Sequence, residues 1–256
     1  MEENILICED SQEGIFTAIY RAYEKHYQPE KTMIQIGEVS NIRLFAAYEQ
    51  ITSDIVCCEK VIRTLKKRFG EEGYQILCMA LASDHEAKAT AVYRTIAIGL
   101  KLPHPVRVFE RYADESVGLV MKLKLSVWHE VHHYFGFLRF EELEKGLLFS
   151  EIYPKYNILP YVAEHFADRL PGEHFLIYDG EKHLYAVHEA HKKWFLFMGD
   201  EPDREKLRCS CKEKEYQELF QYFCYKIAIE ERRNEGLQKN MLPLRFRPYM
   251  TEFADK

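Results

Sequence analysis

The spacing of apolar residues changes near Gly136, and this change limits what the chain can fold into. Before Gly136, apolar residues recur at helical spacing, most regularly between Ile55 and Phe69. After it, short apolar stretches such as 147–153 and 174–178 alternate with turn signals, which is typical of strands. The sequence therefore predicts an α+β protein, with a mostly helical first half and an antiparallel sheet with flanking helices in the second half.

Local signals give the predicted elements their bounds. Capping boxes at 10–13 and 83–86 start helices, Gly70 ends one, and Asp179-Gly180 marks a hairpin turn. The segment from Val106 to Tyr134 fits both periods, and we favour helix there. Strands are predicted at 4–8, 32–36, 42–48, 137–140, 147–153, 174–178, 183–187 and 194–198, and helices at 10–27, 54–69, 71–82, 83–100, 106–134, 158–170 and 213–231.

Length and charge set the outer limits for domains and partners. A chain of 256 residues, 47% hydrophobic, can bury a large core. We predict a single α+β domain over 1–256, with a division into a helical subdomain at 50–134 and a sheet-containing part at 135–256 as the alternative. Because the net charge is -6, any contact with nucleic acid requires a local basic patch.

The cysteines and the hydropathy predict a cytoplasmic protein. Seven cysteines are an odd number, and their spacing lacks the pattern of a disulfide framework, so we expect reduced thiols. No CxxxCxxC run is present, so no iron–sulfur cluster of that local type is expected, and no cofactor is predicted on this chain. No stretch approaches 18 apolar residues, and no membrane partner is expected.

His129-Glu130-Val131-His132-His133 matches HExxH, the sharpest catalytic motif in the chain. On a helix, His129 and His133 would share one face and could bind zinc, with Glu130 as the general base of a hydrolase. The extended pattern places Arg139 where a third histidine ligand belongs, so histidines packed at the end of an amphipathic helix are the favoured interpretation. Glu130, His132 and Asp179 are candidate acid–base residues, but no spacing singles one out.

Two other regions have the composition of a nucleic-acid surface. In a strand, Phe137 and Arg139 would point to one face, where a ring and a guanidinium could stack on a base or hold a phosphate. The alternative pairs Arg139 with Glu141 or Glu142. In the C-terminal stretch 232–247, five cationic residues stand against one glutamate, an excess of four, interleaved with Leu242 and aromatic residues; the five are Arg232, Arg233, Lys239, Arg245 and Arg247.

An ordered series of residues across most of the chain resembles an uncharacterised family associated with DNA metabolism. Genes of that family neighbour a radical SAM protein of DNA modification or repair, and a related domain is fused to uracil-DNA glycosylase-like enzymes. The series consists of Glu130, His132, 136–140, Pro154, 157–159, 166–167, Arg169, Ile177, Asp179, Ile229, 233–234, 242–246 and Glu252. His133 departs from the pattern, which has arginine or lysine there.

The resemblance implies an accessory protein of DNA repair or modification that binds DNA, a radical SAM partner, or both. That partner would carry the iron–sulfur cluster and S-adenosylmethionine. The residues that it suggests as phosphate or partner contacts are Arg139, Arg169, Arg233 and Arg245, with Phe137 and Phe246 as stacking faces. Two alternatives stay open: an enzyme in its own right, which could be glycosylase-like, nuclease-like or a zinc hydrolase, and an adaptor that binds only protein.

Overall fold

A computed structural model of the chain describes residues 3–37, 43–203, 209–227, 234, 236, 242–250 and 253. The chain divides into two compact units, Met1–His129 and Glu130–Lys256. Helices and strands occur in both units, and the α+β prediction with a mostly helical first half is confirmed. None of the helices in the described ranges combines the length and the apolar content that a bilayer span requires.

The first unit contains a small parallel sheet and long helices. Its strands pair in the order β2-β1-β3, and the apolar residues of β1 are buried. The elements are β1 (Glu3–Cys8), α1 (Gln12–Glu24), β2 (Thr32–Ile36), β3 (Ala46–Gln50), α2 (Ile55–Leu81), α3 (Lys88–Leu100) and the start of α4 (Glu115–Phe137), with 3₁₀ turns at Pro29–Lys31 and Pro105–Glu110.

Local signals explain most helix bounds in this unit. The Ser11 hydroxyl accepts the amide of Gly14 and caps α1. Gly70 adopts a positive φ of 74° and breaks the helical geometry inside α2, where the sequence predicts a stop. The capping box predicted at Ser83 is wrong: its hydroxyl donates to the carbonyl of Ala80, and α3 begins only at Lys88.

The second unit is built around a five-stranded sheet in the order β4-β5-β6-β7-β8. Helix α4 ends in this unit, and further helices follow it. The elements are β4 (Glu141–Glu142), β5 (Leu147–Ile152), α5 (Leu159–Arg169), β6 (His174–Asp179), β7 (Leu184–His188), β8 (Phe195–Met198) and α6 (Cys211–Ile227), with 3₁₀ turns at Glu144–Gly146 and Leu244–Tyr249. Residues 228–231 of the last predicted helix lie outside the described ranges.

Two details of the predicted sheet differ from the structure. The pair β5–β6 is parallel, whereas the other pairs of this sheet are antiparallel, because α5 carries the chain back between the two strands. The strand predicted at 137–140 is wrong, since α4 continues to Phe137 and the next three residues are irregular. Apolar spacing alone did not separate the last turn of this helix from a short strand.

Candidate anion-binding site in the second unit

The carboxylate of Glu130 gathers three donors from distant parts of the chain. Its side chain is 3% exposed, and its two oxygens accept the backbone amides of Lys155 (3.1 Å) and Tyr156 (2.9 Å). The guanidinium of Arg245 lies 2.9 Å from Oε1. A buried carboxylate requires such partners, and here they join the last turns of α4, the loop after β5 and the C-terminal 3₁₀ turn.

Asp179 organises the hairpin beside this loop. Its Oδ1 accepts the amides of Glu181 (3.1 Å) and Lys182 (3.2 Å), which closes the predicted turn between β6 and β7. The ammonium of Lys182 lies 3.5 Å from Oδ2 and donates to the carbonyls of Pro154 (3.3 Å) and Tyr156 (3.2 Å). Burial raises the pKa of Asp179, while the Lys182 ammonium acts to lower it.

Residues that contact these two carboxylates line a pocket of about 500 Å³, which we term the basic pocket. Its lining residues are Tyr153, Pro154, Lys155, Glu181, Lys182 and Arg245. Three of them are cationic and one is acidic, and two of the cations, Arg245 and Lys182, pair with the carboxylates of Glu130 and Asp179. Glu130 and Asp179 lie behind the lining and are buried. An ammonium and a guanidinium around one opening suit an anion with several oxygens, such as a phosphate.

Aromatic rings hold the C-terminal segment in place. Phe246 is 3% exposed and contacts the rings of His133, Tyr134 and Phe137, with centroids 5.0 to 5.5 Å apart. It is therefore a buried anchor in this arrangement, and its faces are occupied by protein. Tyr249 stacks on Tyr153 of the basic pocket at 5.1 Å and is 39% exposed.

The pKa of Tyr134 is shifted by its burial and by the charges of Glu130 and Arg245. Burial raises the pKa of this phenol, and the negative charge of Glu130 adds to the rise, whereas Arg245 opposes it. The phenol therefore keeps its proton at neutral pH. It is a neutral, hydrogen-bonding group beside the two carboxylates.

The residues predicted to contact phosphate or a partner do not all lie at the basic pocket. Arg245 lines the basic pocket, whereas the Arg139 guanidinium donates to the carbonyls of Gly136 (2.9 Å) and Leu138 (3.2 Å) at the end of α4. Arg169 is exposed in the last turn of α5, and Phe137 is half-buried between His133 and Phe246. Arg233 and the neighbouring Arg232 and Lys239 lie outside the described residues.

The histidines of the HExxH match occur in α4, as that motif requires, but Glu130 is engaged with the three donors described above. His129 and His132 are exposed, and the His133 ring stacks on Phe137 at 5.7 Å. Within the described ranges, no group of three His, Cys, Asp or Glu side chains is placed to hold a metal ion. Of the two histidines that the motif would use as ligands, His133 packs against Phe137 at the helix end and His129 is exposed.

The sequence did not point to Lys155, Lys182 or Tyr153. Each was close to a signal: Tyr153 and Lys155 flank Pro154 of the ordered series, and Lys182 follows the Asp179-Gly180 turn. Lysines in loops are usually solvated, and only the approach of the two loops in space distinguishes these.

Comparison with protein families identifies the chain by class. A model of DUF4130, a domain of unknown function, matches residues 86–252. The match covers more than half of the 256 residues and includes every residue of the basic pocket. The chain belongs to the DUF4130 family. No curated protein matches it.

Proposed function

We propose that this protein is a cytoplasmic accessory factor of DNA repair or modification that binds nucleic-acid phosphate in the basic pocket. It would act with a radical SAM protein, which would carry the iron–sulfur cluster and S-adenosylmethionine. The observation that supports this proposal is the convergence of Lys155, Lys182 and Arg245 on one opening. Glu130, Pro154, Asp179 and Arg245 of the ordered series form its frame.

The electrostatics of the basic pocket favour a phosphodiester over a neutral ligand. Glu130 and Asp179 fix the directions of Arg245 and Lys182, so the cations are already oriented before an anion arrives. The whole chain carries a net charge of -6, so contact with the backbone of DNA would depend on the oriented N–H donors of Lys155, Lys182 and Arg245 at the pocket opening. The exposed ring of Tyr249, next to Tyr153, offers a face on which an unpaired base could stack.

The direct test measures binding to single-stranded, duplex and uracil-containing DNA over a range of salt concentrations. If the basic pocket neutralises phosphates, Lys155→Ala and Lys182→Ala should each weaken binding. Each should also reduce the slope of the logarithm of the binding constant against the logarithm of salt concentration by about one phosphate contact. Lys155 is exposed, so its loss should leave the fold intact. Lys214→Ala is the matched control, because Lys214 is an exposed lysine of the same unit that does not line the pocket.

Absent binding, or binding that ignores salt and both substitutions, would contradict the nucleic-acid part of the proposal. The partner can then be tested separately by co-purification with the proposed radical SAM protein. If a Lys155→Glu variant no longer binds DNA but still co-purifies, the protein contacts are independent of the basic pocket. The adaptor alternative predicts co-purification without any DNA binding by the unmodified chain.

One observation favours an enzyme as the second candidate. Asp179 is fully buried next to the basic pocket and burial raises its pKa, a property that groups in active sites share. A glycosylase-like enzyme would use such a carboxyl as an acid or base near a base extruded from the duplex. Release of uracil from DNA that is abolished by Asp179→Asn would support this candidate. Stoichiometric zinc lost on His129→Ala or His133→Ala would instead support the hydrolase.

A further inference from the structure

Strand β8 is an apolar edge of the five-stranded sheet. It is the last strand in the sheet order, and no other described strand pairs with its outer side. All four of its residues are large and apolar, and their exposed fractions lie between 38% and 80%. An edge strand of this kind can pair with another strand, and natural proteins usually interrupt such edges with a charge or proline.

The backbone of β8 presents hydrogen-bonding groups on this outer side. The amide of Gly199 donates to the carbonyl of His183 (3.1 Å), which continues the register of β7 and β8. Because successive residues point their N–H and C=O groups to opposite sides, Phe195 and Phe197 direct theirs to β7. Leu196 and Met198 therefore direct theirs outward.

Charges of opposite sign flank the strand. Lys192, which pairs with Glu189, and Lys193 precede it, and Asp200 and Glu201 follow it, all four of these flanking residues being exposed. An antiparallel partner with the same sequence would bring the basic start of one strand against the acidic end of the other. A parallel partner would instead place like charges together.

We propose that β8 is an interface between two copies of this chain, whose β8 strands pair antiparallel about a two-fold axis at Leu196. The two strands can form hydrogen bonds only in registers that place residues with outward-directed N–H and C=O groups opposite each other. Leu196 is such a residue. Centring on Leu196 sets Trp194 against Met198 and Phe195 against Phe197, so every residue of the strand has an apolar neighbour. It also sets Lys192 against Asp200 at both ends.

The oligomeric state of the full chain tests this interface. Analytical ultracentrifugation over roughly 1 to 200 µM, a range suited to an interface of one short strand, should show a reversible dimer. Lys192→Asp and Asp200→Lys should each raise the dimer dissociation constant about tenfold, because each creates two repulsive pairs. The double variant should return to within about threefold of the unmodified chain. Lys226→Glu on α6 is the charge-reversal control.

Cysteine cross-linking tests the register. At the two-fold axis, the Cα atoms of Leu196 would lie about 5.5 Å apart, within disulfide reach, so Leu196→Cys should form a covalent dimer on mild oxidation. Phe195→Cys should not, since its two copies would be roughly 8 Å apart. The unmodified chain measures cross-linking by its native cysteines. A monomer at every concentration, or a dimer that forms equally with Leu196→Lys, would overturn the proposal.

Discussion

The guanidinium of Arg245 lies 2.9 Å from the buried carboxylate of Glu130. This pair connects the C-terminal 3₁₀ turn to the end of α4, and the amides of Lys155 and Tyr156 complete the shell around the carboxylate. Glu130 is buried whereas Arg245 is half-exposed, so loss of the guanidinium would leave a desolvated carboxylate without its cationic partner. The pair therefore makes the geometry of the basic pocket depend on Glu130.

Glu130→Gln should destabilise the second unit although it preserves the shape of the side chain. Each carboxylate oxygen accepts one backbone amide, so the amide nitrogen of glutamine would face an N–H donor instead of an acceptor. We expect the free energy of unfolding to fall by about 2 kcal/mol, measured by chemical denaturation. Glu218→Gln, an exposed residue of α6, should change it by less than about 0.5 kcal/mol. Equal stability of both variants would show that Glu130 is solvated.

Phe246→Ala should release the C-terminal segment from the end of α4. Removal of this buried ring costs about 3 kcal/mol of packing against His133, Tyr134 and Phe137. Limited digestion with trypsin should then cut after Arg245 much faster than in the unmodified chain. Leu244→Ala is the control, because Leu244 is 58% exposed and contributes little packing. Unchanged cleavage in Phe246→Ala would mean that other contacts hold the segment.

Asp179 should make stability depend on pH in a direction opposite to that of a salt-bridged carboxylate. Burial raises its pKa in the folded state above the ordinary aspartate value of 3.8, so the folded protein holds this proton more tightly than the unfolded chain. Stability from this group is greatest below pH 3.8 and falls as the pH rises through the folded pKa. The decline should be absent in Asp179→Asn. Parallel pH profiles of the free energy of unfolding in the two proteins would contradict the assignment.

Substitutions of Arg139 and Arg169 should distinguish a structural role from a binding role. Because the Arg139 guanidinium donates to two carbonyls at the end of α4, Arg139→Ala should lower the free energy of unfolding by about 1 kcal/mol. Arg169 is exposed, and Arg169→Ala should leave stability within about 0.5 kcal/mol. A loss of DNA affinity in Arg169→Ala would therefore report a direct contact. No loss of stability in Arg139→Ala would refute its role at the helix end.

Local patterns were sufficient where the cause was local. The helical spacing up to Phe69, the break at Gly70 and the Asp179-Gly180 turn all depend on residues a few positions apart. The end of α4 was not predictable in this way. The irregular residues after Phe137 share the apolar character of a strand, and the carbonyls that Arg139 satisfies belong to the helix end itself.

By itself the sequence determined the α+β class and most of the elements, and it offered Glu130, Asp179 and Arg245 as candidates. Only the tertiary structure decided that these residues frame one basic pocket, that Lys155 and Lys182 line it, and that Phe246 is buried. The physical reason is that hydrophobic period and turn chemistry act over a few residues. Ion pairs and buried hydrogen bonds join any groups that the fold brings together, whatever their separation in the chain.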